Sequence, residues 1–234
     1  MSGPIVLVGA GEFTPAMAGV DRALLASTGM ARPRVAIVPT ASWPDGEETF
    51  HRWAAMGEAH FAALGAEVEQ VLVRIRTDAD DPTCAQAAGE ADVIYFSGGK
   101  PGHLRDVLRG SALWAATLAA HERGAVLVGC SAGAMVLGGR QLDFGRGLRP
   151  PVGWDPALGV IPGIGVIPHY DRVPRTIAAL IALTAPHGTV VLGIDEDTAA
   201  VGSAGSFRVS GRATVTVWRG RKRHRYRDGE SFEV

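Results

Sequence analysis

The chain has 234 residues, is 47% hydrophobic and 20% charged, and carries a formal net charge of −1. This is the profile of a globular chain long enough to bury its own core, and it excludes collagenous and disordered classes. A net charge near zero supplies no global field for nucleic acid or an anionic membrane, and two cysteines, Cys84 and Cys130, are too few for a disulfide framework.

The stretch Met1-Ser2-Gly3-Pro4 lacks a basic n-region, and Ile5–Val8 is too short for a signal-peptide core. No apolar run is long enough to span a bilayer. The expectation is a cytoplasmic protein with reduced thiols and no membrane partner.

Along the first half, short β-branched runs alternate with stretches of helical period. The runs are Ile5–Val8, Val35–Val38, Val68–Val73, Val93–Phe96 and Val126–Val128. Between them, Ala16–Ser27, Glu47–Leu64 and Leu113–Arg123 read as helices. Strands alternating with helices predict a mostly parallel sheet with helices on both faces, within a single α/β domain spanning residues 1–234. The pattern changes after about Gly138: residues 139–162, rich in Gly, Pro and Arg, read as an irregular excursion. A short run at Gly163–Pro168, a helix near Val173–Leu183 and a strand at Thr189–Ile194 follow. Then Ala199–Val201, Ser206–Val209, Ala213–Trp218 and His224–Arg227, split by Gly turns, predict a small antiparallel meander on the edge of the sheet. The basic segment Arg219–Arg225 reads as a solvated hairpin tip. It has no stacking aromatics or nucleic-acid module around it.

The sharpest motif is Gly129-Cys130-Ser131-Ala132-Gly133, directly after a buried-looking strand and before a helix-compatible stretch. A nucleophile on so tight a turn needs very small neighbours, which Gly129, Ala132 and Gly133 supply. The turn lifts Ser131 Oγ above the carboxyl end of the strand, where open α/β sheets bind ligands, and aims the Ala132 N–H into the same space. Cys130 lies one residue short of the turn's centre and reads as packing. A serine hydroxyl needs a base. Of the histidines, His169 follows the run ending at Pro168 and reaches the same sheet edge, while His103, near Gly98-Gly99, is a second candidate. Glu196, after the strand ending at Ile194, and Asp143, in the excursion, compete as the acid that orients the imidazole. The paired Gly98-Gly99 after another buried strand lets backbone N–H groups approach a ligand and offers a second oxyanion donor. Gly9-Ala10-Gly11-Glu12-Phe13 lacks the third glycine of a dinucleotide fingerprint.

Together, Gly9-Ala10-Gly11-Glu12-Phe13, Phe96-Ser97-Gly98-Gly99, Gly129-Cys130-Ser131-Ala132-Gly133-Ala134, Pro168-His169 and Gly193-Ile194-Asp195-Glu196-Asp197-Thr198 resemble the peptidase family of aspartyl dipeptidase (peptidase E) and cyanophycinase. The resemblance implies a class I glutamine amidotransferase-like fold and hydrolysis of an amide bond in small peptides. It implies Ser131 as nucleophile, His169 as base, Glu196 as the favoured acid with Asp143 still in play, and the Gly99 and Ala132 N–H groups as the oxyanion hole. No metal or organic cofactor is implied, and a homo-oligomer is compatible with the sequence. Lys100 departs from the family, whose members carry other polar residues after the paired glycines. Gly98 and Lys100 are therefore candidate substrate contacts, with Lys100, alone or beside Arg172 or Arg175, expected to hold a substrate carboxylate. Two other readings stay open: an α/β-hydrolase-type esterase using Asp143, and a non-catalytic module of the same fold.

Overall fold

β1 (Ile5–Val8) opens the chain and leads to α1 (Ala18–Ser27). β2 (Arg34–Val38), α2 (Glu47–Ala63) and β3 (Glu67–Gln70) repeat the alternation. The short helices α3 (Arg76–Ala79) and α4 (Pro82–Glu90) precede β4 (Val93–Phe96), α5 (Pro101–Leu108), α6 (Ala112–Glu122) and β5 (Val126–Cys130). Local chemistry sets several helix starts. Asp81 accepts the Thr83 N–H ahead of Pro82, and Ser111 accepts the Trp114 N–H at 3.0 Å. The computed structural model describes residues 2–143, 153–203 and 205–234.

β1, β5, β4, β2 and β3 lie side by side in that order, all parallel. Successive side chains of a strand point to opposite faces, and in β1, β2, β4 and β5 both faces are apolar, whereas the edge strand β3 (Glu67-Val68-Glu69-Gln70) exposes its two glutamates. Ile5, Leu7, Ile94, Phe96 and Leu127 enter one buried cluster. Val6, Val8, Val93, Tyr95, Val126 and Val128 enter the other, with Val20 and Leu24 of α1 and Phe61 of α2. Leu104 and Leu108 of α5 and Leu113 and Trp114 of α6 cover the first face. Continuous apolar strands are what burial on both faces requires.

After β5 the chain turns through Ser131 into α7 (Ala132–Leu137), then β6 (Gly138–Asp143). β7 (Gly153–Pro156), β8 (Ile161–Ile167), α8 (Arg175–Leu183) and β9 (Val190–Ile194) follow. β6, β8 and β9 are parallel neighbours in a second sheet, with β7 antiparallel along its edge. The excursion expected over residues 139–162 is thus corrected at both ends, where β6 and β7 pair, while residues 144–152 lie outside the described residues. Its composition misleads because the glycines serve close packing: a Cβ on Gly139 would stand 2.9 Å from the Gly163 nitrogen. Ile164, Val166 and Leu192 of this second sheet share their apolar cluster with α7 and the first sheet.

β10 (Thr198–Ser203), β11 (Ser206–Gly211), β12 (Thr214–Arg219), β13 (Lys222–Arg227) and β14 (Ser231–Glu233) complete the chain. They pair antiparallel, as expected, but are shared between the sheets. β10 joins β1 and extends the first sheet through β11 and β14, whereas β12 joins β9 and extends the second through β13. Gly211 serves the passage from β11 to β12: its φ is +132°, and any Cβ would overlap the Asp197 carbonyl. Among the described residues no helix is long and apolar enough to cross a membrane.

Candidate active site

Ser131 occupies φ +50°, ψ −106°, a region non-glycine residues rarely adopt. The turn is held on all sides. Ser131 N–H donates to the Val8 carbonyl at 3.0 Å, tying it to the end of β1. A Cβ on Gly129 would overlap the backbone of Gly133, and one on Gly133 would overlap the Phe96 carbonyl of β4. Strain of this kind persists only where the surroundings over-determine it.

His169 follows β8 and also sits in left-handed backbone, at φ +49°, ψ +38°. Its Nε2 lies 3.2 Å from Ser131 Oγ, and its Nδ1 lies 2.9 Å from Glu196 Oε1. A carboxylate can only accept, so Nδ1 carries the proton facing Glu196 and Nε2 is left to accept from the serine hydroxyl. Glu196 is fixed from both ends. Arg172 donates to its Oε2 through Nε at 3.1 Å and Nη2 at 3.0 Å, and its own N–H donates to Asp171 Oδ1 at 2.9 Å. The His169 hydrogen bond, then Arg172, hold the Glu196 carboxyl below its ordinary range.

The strands explain this convergence. Ile167 of β8 pairs with Gly193 of β9, so His169 and Glu196 leave neighbouring strand ends in step. Gly193 leaves room for the Tyr170 ring, where a Cβ would overlap it, and Tyr170 Oη accepts the Trp218 Nε1–H at 2.9 Å. Asp143, the competing acid, stands at the end of β6 on the wall of a different cavity. His103 lies on the wall of that same cavity, where its Nε2–H donates to the Arg74 carbonyl oxygen at 2.8 Å.

Sequence reasoning missed Glu12. It is 6% exposed, accepts the Gly98 N–H through Oε1 at 2.9 Å and accepts the Cys130 thiol through Oε2 at 2.9 Å. Its sequence signals were an acidic residue inside a glycine loop after a buried strand and its place in a segment of the family resemblance, neither of which showed its role. Cys130 is fully buried, and burial followed by the Glu12 charge pushes its thiol well above the ordinary range. Gly98 and Gly99 border Ser131 from the end of β4. A Cβ on Gly98 would stand 3.4 Å from Ser131 Cβ and 2.7 Å from Glu12 Oε1, and one on Gly99, at φ +141°, would overlap the Ala41 carbonyl.

Two cavities meet at Gly99, Pro101 and Leu142. One, of 220 Å³, contains Ser131, Ala132 and His169 and is otherwise walled by apolar residues. The other, of 480 Å³, is charged, with Lys100, Arg105, Asp143 and Asp155 on its walls. Lys100 Nζ pairs with Asp45 at 3.1 Å, Arg172 is held by Glu196, and Arg175 is exposed at the start of α8. Among the described residues no cluster of three or more His, Cys, Asp or Glu side chains is placed to hold a metal ion.

The sequence profile described as Peptidase family S51 matches residues 5–209. The chain belongs to peptidase family S51. The crystal structure of a peptidase from an acI-B1 Actinobacterium is 32% identical and superposes with a TM-score of 0.89, covering 100% of this chain and 98% of that one. A putative peptidase E protein from Listeria monocytogenes EGD-e is 16% identical, with a TM-score of 0.60 over 97% of this chain and 99% of that one, a likeness of fold. A search among curated proteins finds no match. The α/β fold expected from the sequence resemblance is the one these structures share, and the Ser131 turn and the Gly98-Gly99 loop of this S51 chain lie inside the matched residues.

Proposed function

We propose that the protein is a serine peptidase cleaving an amide bond in small peptides through an acyl-enzyme on Ser131. The observation that carries this reading is the unbroken chain from Ser131 Oγ through His169, 3.2 Å away, to Glu196, 2.9 Å beyond. Ser131 Oγ attacks the scissile carbonyl carbon as its proton passes to His169 Nε2. Glu196 keeps the proton of Nδ1 in place and stabilises the imidazolium. The oxyanion is held by the N–H groups of Gly99 and Ala132. Collapse breaks the C–N bond, and the leaving amine takes the proton from Nε2. Water, deprotonated by the same nitrogen, then attacks the acyl-enzyme and frees Ser131. Gly98 positions the oxyanion loop. Lys100, exchanging Asp45 for substrate, is the contact for a carboxylate at the far end of the peptide.

The test is labelling by a fluorophosphonate, read as an intact-mass adduct, beside peptide hydrolysis. A single adduct absent from Ser131→Ala is expected. Hydrolysis should fall by about 10⁶ in kcat in that variant, the usual cost of losing a serine nucleophile. Unlabelled wild-type protein with no hydrolysis would favour a binding module on the same fold, and full hydrolysis by Ser131→Ala would sink the mechanism.

A further inference from the structure

The cavity that opens at Ser131 has a composition that the proposed chemistry does not demand. Beyond Ser131, Ala132 and His169, its walls include Pro101, Met135, Leu142, Ile167, Val173 and Ile181. Among the described lining residues, His169 is the only ionisable side chain, and its ring is already held between Ser131 and Glu196. Among the described residues, Lys100 of the adjoining cavity is paired with Asp45, Arg105 with Asp106 and Asp155, and Arg172 with Glu196 Oε2. At 220 Å³ the space suits one side chain rather than a whole ligand.

On the reading of Ser131 as an acylating nucleophile, we infer that this cavity receives the side chain of the residue whose carbonyl is attacked, and that it selects an uncharged, apolar side chain against an acidic one. The Cα of that residue is bonded directly to the attacked carbon, so its side chain is the part of the substrate that reaches a cavity beginning at Ser131. A carboxylate placed there would lose hydration with no cation among the described lining residues to replace it, while the Gly99 and Ala132 N–H groups are taken by the oxyanion. Leucine or methionine would instead exchange water for apolar contact. The charged cavity beyond Gly99 and Pro101 takes the polar remainder of the peptide. The substrate class is therefore a small peptide with an aliphatic residue on the acyl side of the scissile bond.

The experiment measures kcat/KM for leucyl, methionyl, aspartyl and lysyl p-nitroanilides with the wild-type enzyme, Ser131→Ala and Val173→Arg. Leucyl and methionyl substrates should exceed the aspartyl and lysyl ones by at least about tenfold, in line with the selectivity of apolar pockets. Val173→Arg, which brings a cation to the cavity wall, should raise the aspartyl-to-leucyl ratio by a similar factor. Equal or faster turnover of the aspartyl substrate, abolished in Ser131→Ala, overturns the inference and leaves the serine mechanism standing. Turnover that survives in Ser131→Ala, or none on any substrate, overturns both. Should Val173→Arg fail to fold, the wild-type ratios alone decide.

Discussion

The Glu12 carboxylate lies 2.9 Å from the Gly98 N–H, and through that bond the loop after β1 holds the loop after β4. Its second oxygen accepts the Cys130 thiol, one residue before the strained serine. One buried carboxylate thus ties together the ends of β1, β4 and β5, the three strands whose tips border Ser131. Glu12→Ala would leave the Gly98 N–H and the Cys130 S–H without their acceptor in the interior. Each unsatisfied group costs about 1–3 kcal/mol, so the urea midpoint should fall sharply and kcat with it. Glu12→Gln keeps an acceptor for Gly98 and should recover most of the stability. An unchanged midpoint in Glu12→Ala would show that the bond carries no load.

Cys130 has the chemistry of a nucleophile but not the placement. It is fully buried and its thiol is pushed upward by burial and by Glu12. Iodoacetamide on the native protein should modify the partly exposed Cys84 and spare Cys130, as read by peptide mass mapping, with hydrolysis unaffected. Rapid inactivation with alkylation at Cys130 would contradict this.

The glycines beside Ser131 are steric requirements. Gly133→Ala sets a methyl group against the Phe96 carbonyl, and Gly99→Ala sets one against the Ala41 carbonyl at φ +141°. Backbone cannot yield as a flexible side chain can, so each should cost about 1–3 kcal/mol or more. Gly102→Ala, where a Cβ meets nothing within 4 Å, is the control and should unfold with the wild type. Thermal melts of the three variants would check the contrast.

Glu196 gives the pH dependence a definite sign. Its folded carboxyl is held below the ordinary range by His169 and then Arg172. Such a group contributes stability above its unfolded pKa, about 4.3, and loses that contribution as pH falls through the folded value. Glu196→Gln should therefore be less stable than wild type at neutral pH, with the difference closing on acidification. Denaturation midpoints across that range would measure it. At neutral pH the same variant should lose on the order of 10⁴ in kcat, as when a triad imidazole loses the carboxylate that sets its tautomer.

Asp21 should act in the opposite direction. It is buried beside His60, 2.8 Å away, and burial raises its carboxyl above the ordinary range, outweighing the His60 bond. A raised carboxylate binds its proton more readily in the folded state, so its share of stability falls as pH rises from the unfolded value, about 3.9, through the folded one. Asp21→Asn should remove that part of the slope in the same denaturation series.

What could be read from the sequence was what local chemistry determines. Uninterrupted apolar runs marked β1, β2, β4 and β5, because a strand covered on both faces needs no polar positions, while the expected strand Val68–Val73 is placed instead at Glu67–Gln70 on the sheet edge, where exposed glutamates alternate with half-buried residues. Small residues around Ser131 marked the turn, because no side chain larger than alanine's fits where α7 folds back over β5. What the sequence left open was decided by which strands become neighbours. Glu196, after a strand, and Asp143, in the segment read as an excursion, were both open as the acid. The pairing of β8 with β9 places Glu196 on the imidazole, while β6 carries Asp143 to the other cavity. Glu12 had no periodicity to announce it, and its role exists only because three loops meet around one carboxylate. The C-terminal strands are divided between two sheets by crossings at backbone angles such as Gly211, Asp197 and Gly229, all with positive φ, which a local pattern does not announce. Side-chain pattern is set over a few residues and survives in the sequence. Pairing between residues far apart is settled only by the packing of the whole chain, and the candidate site is made of such pairings.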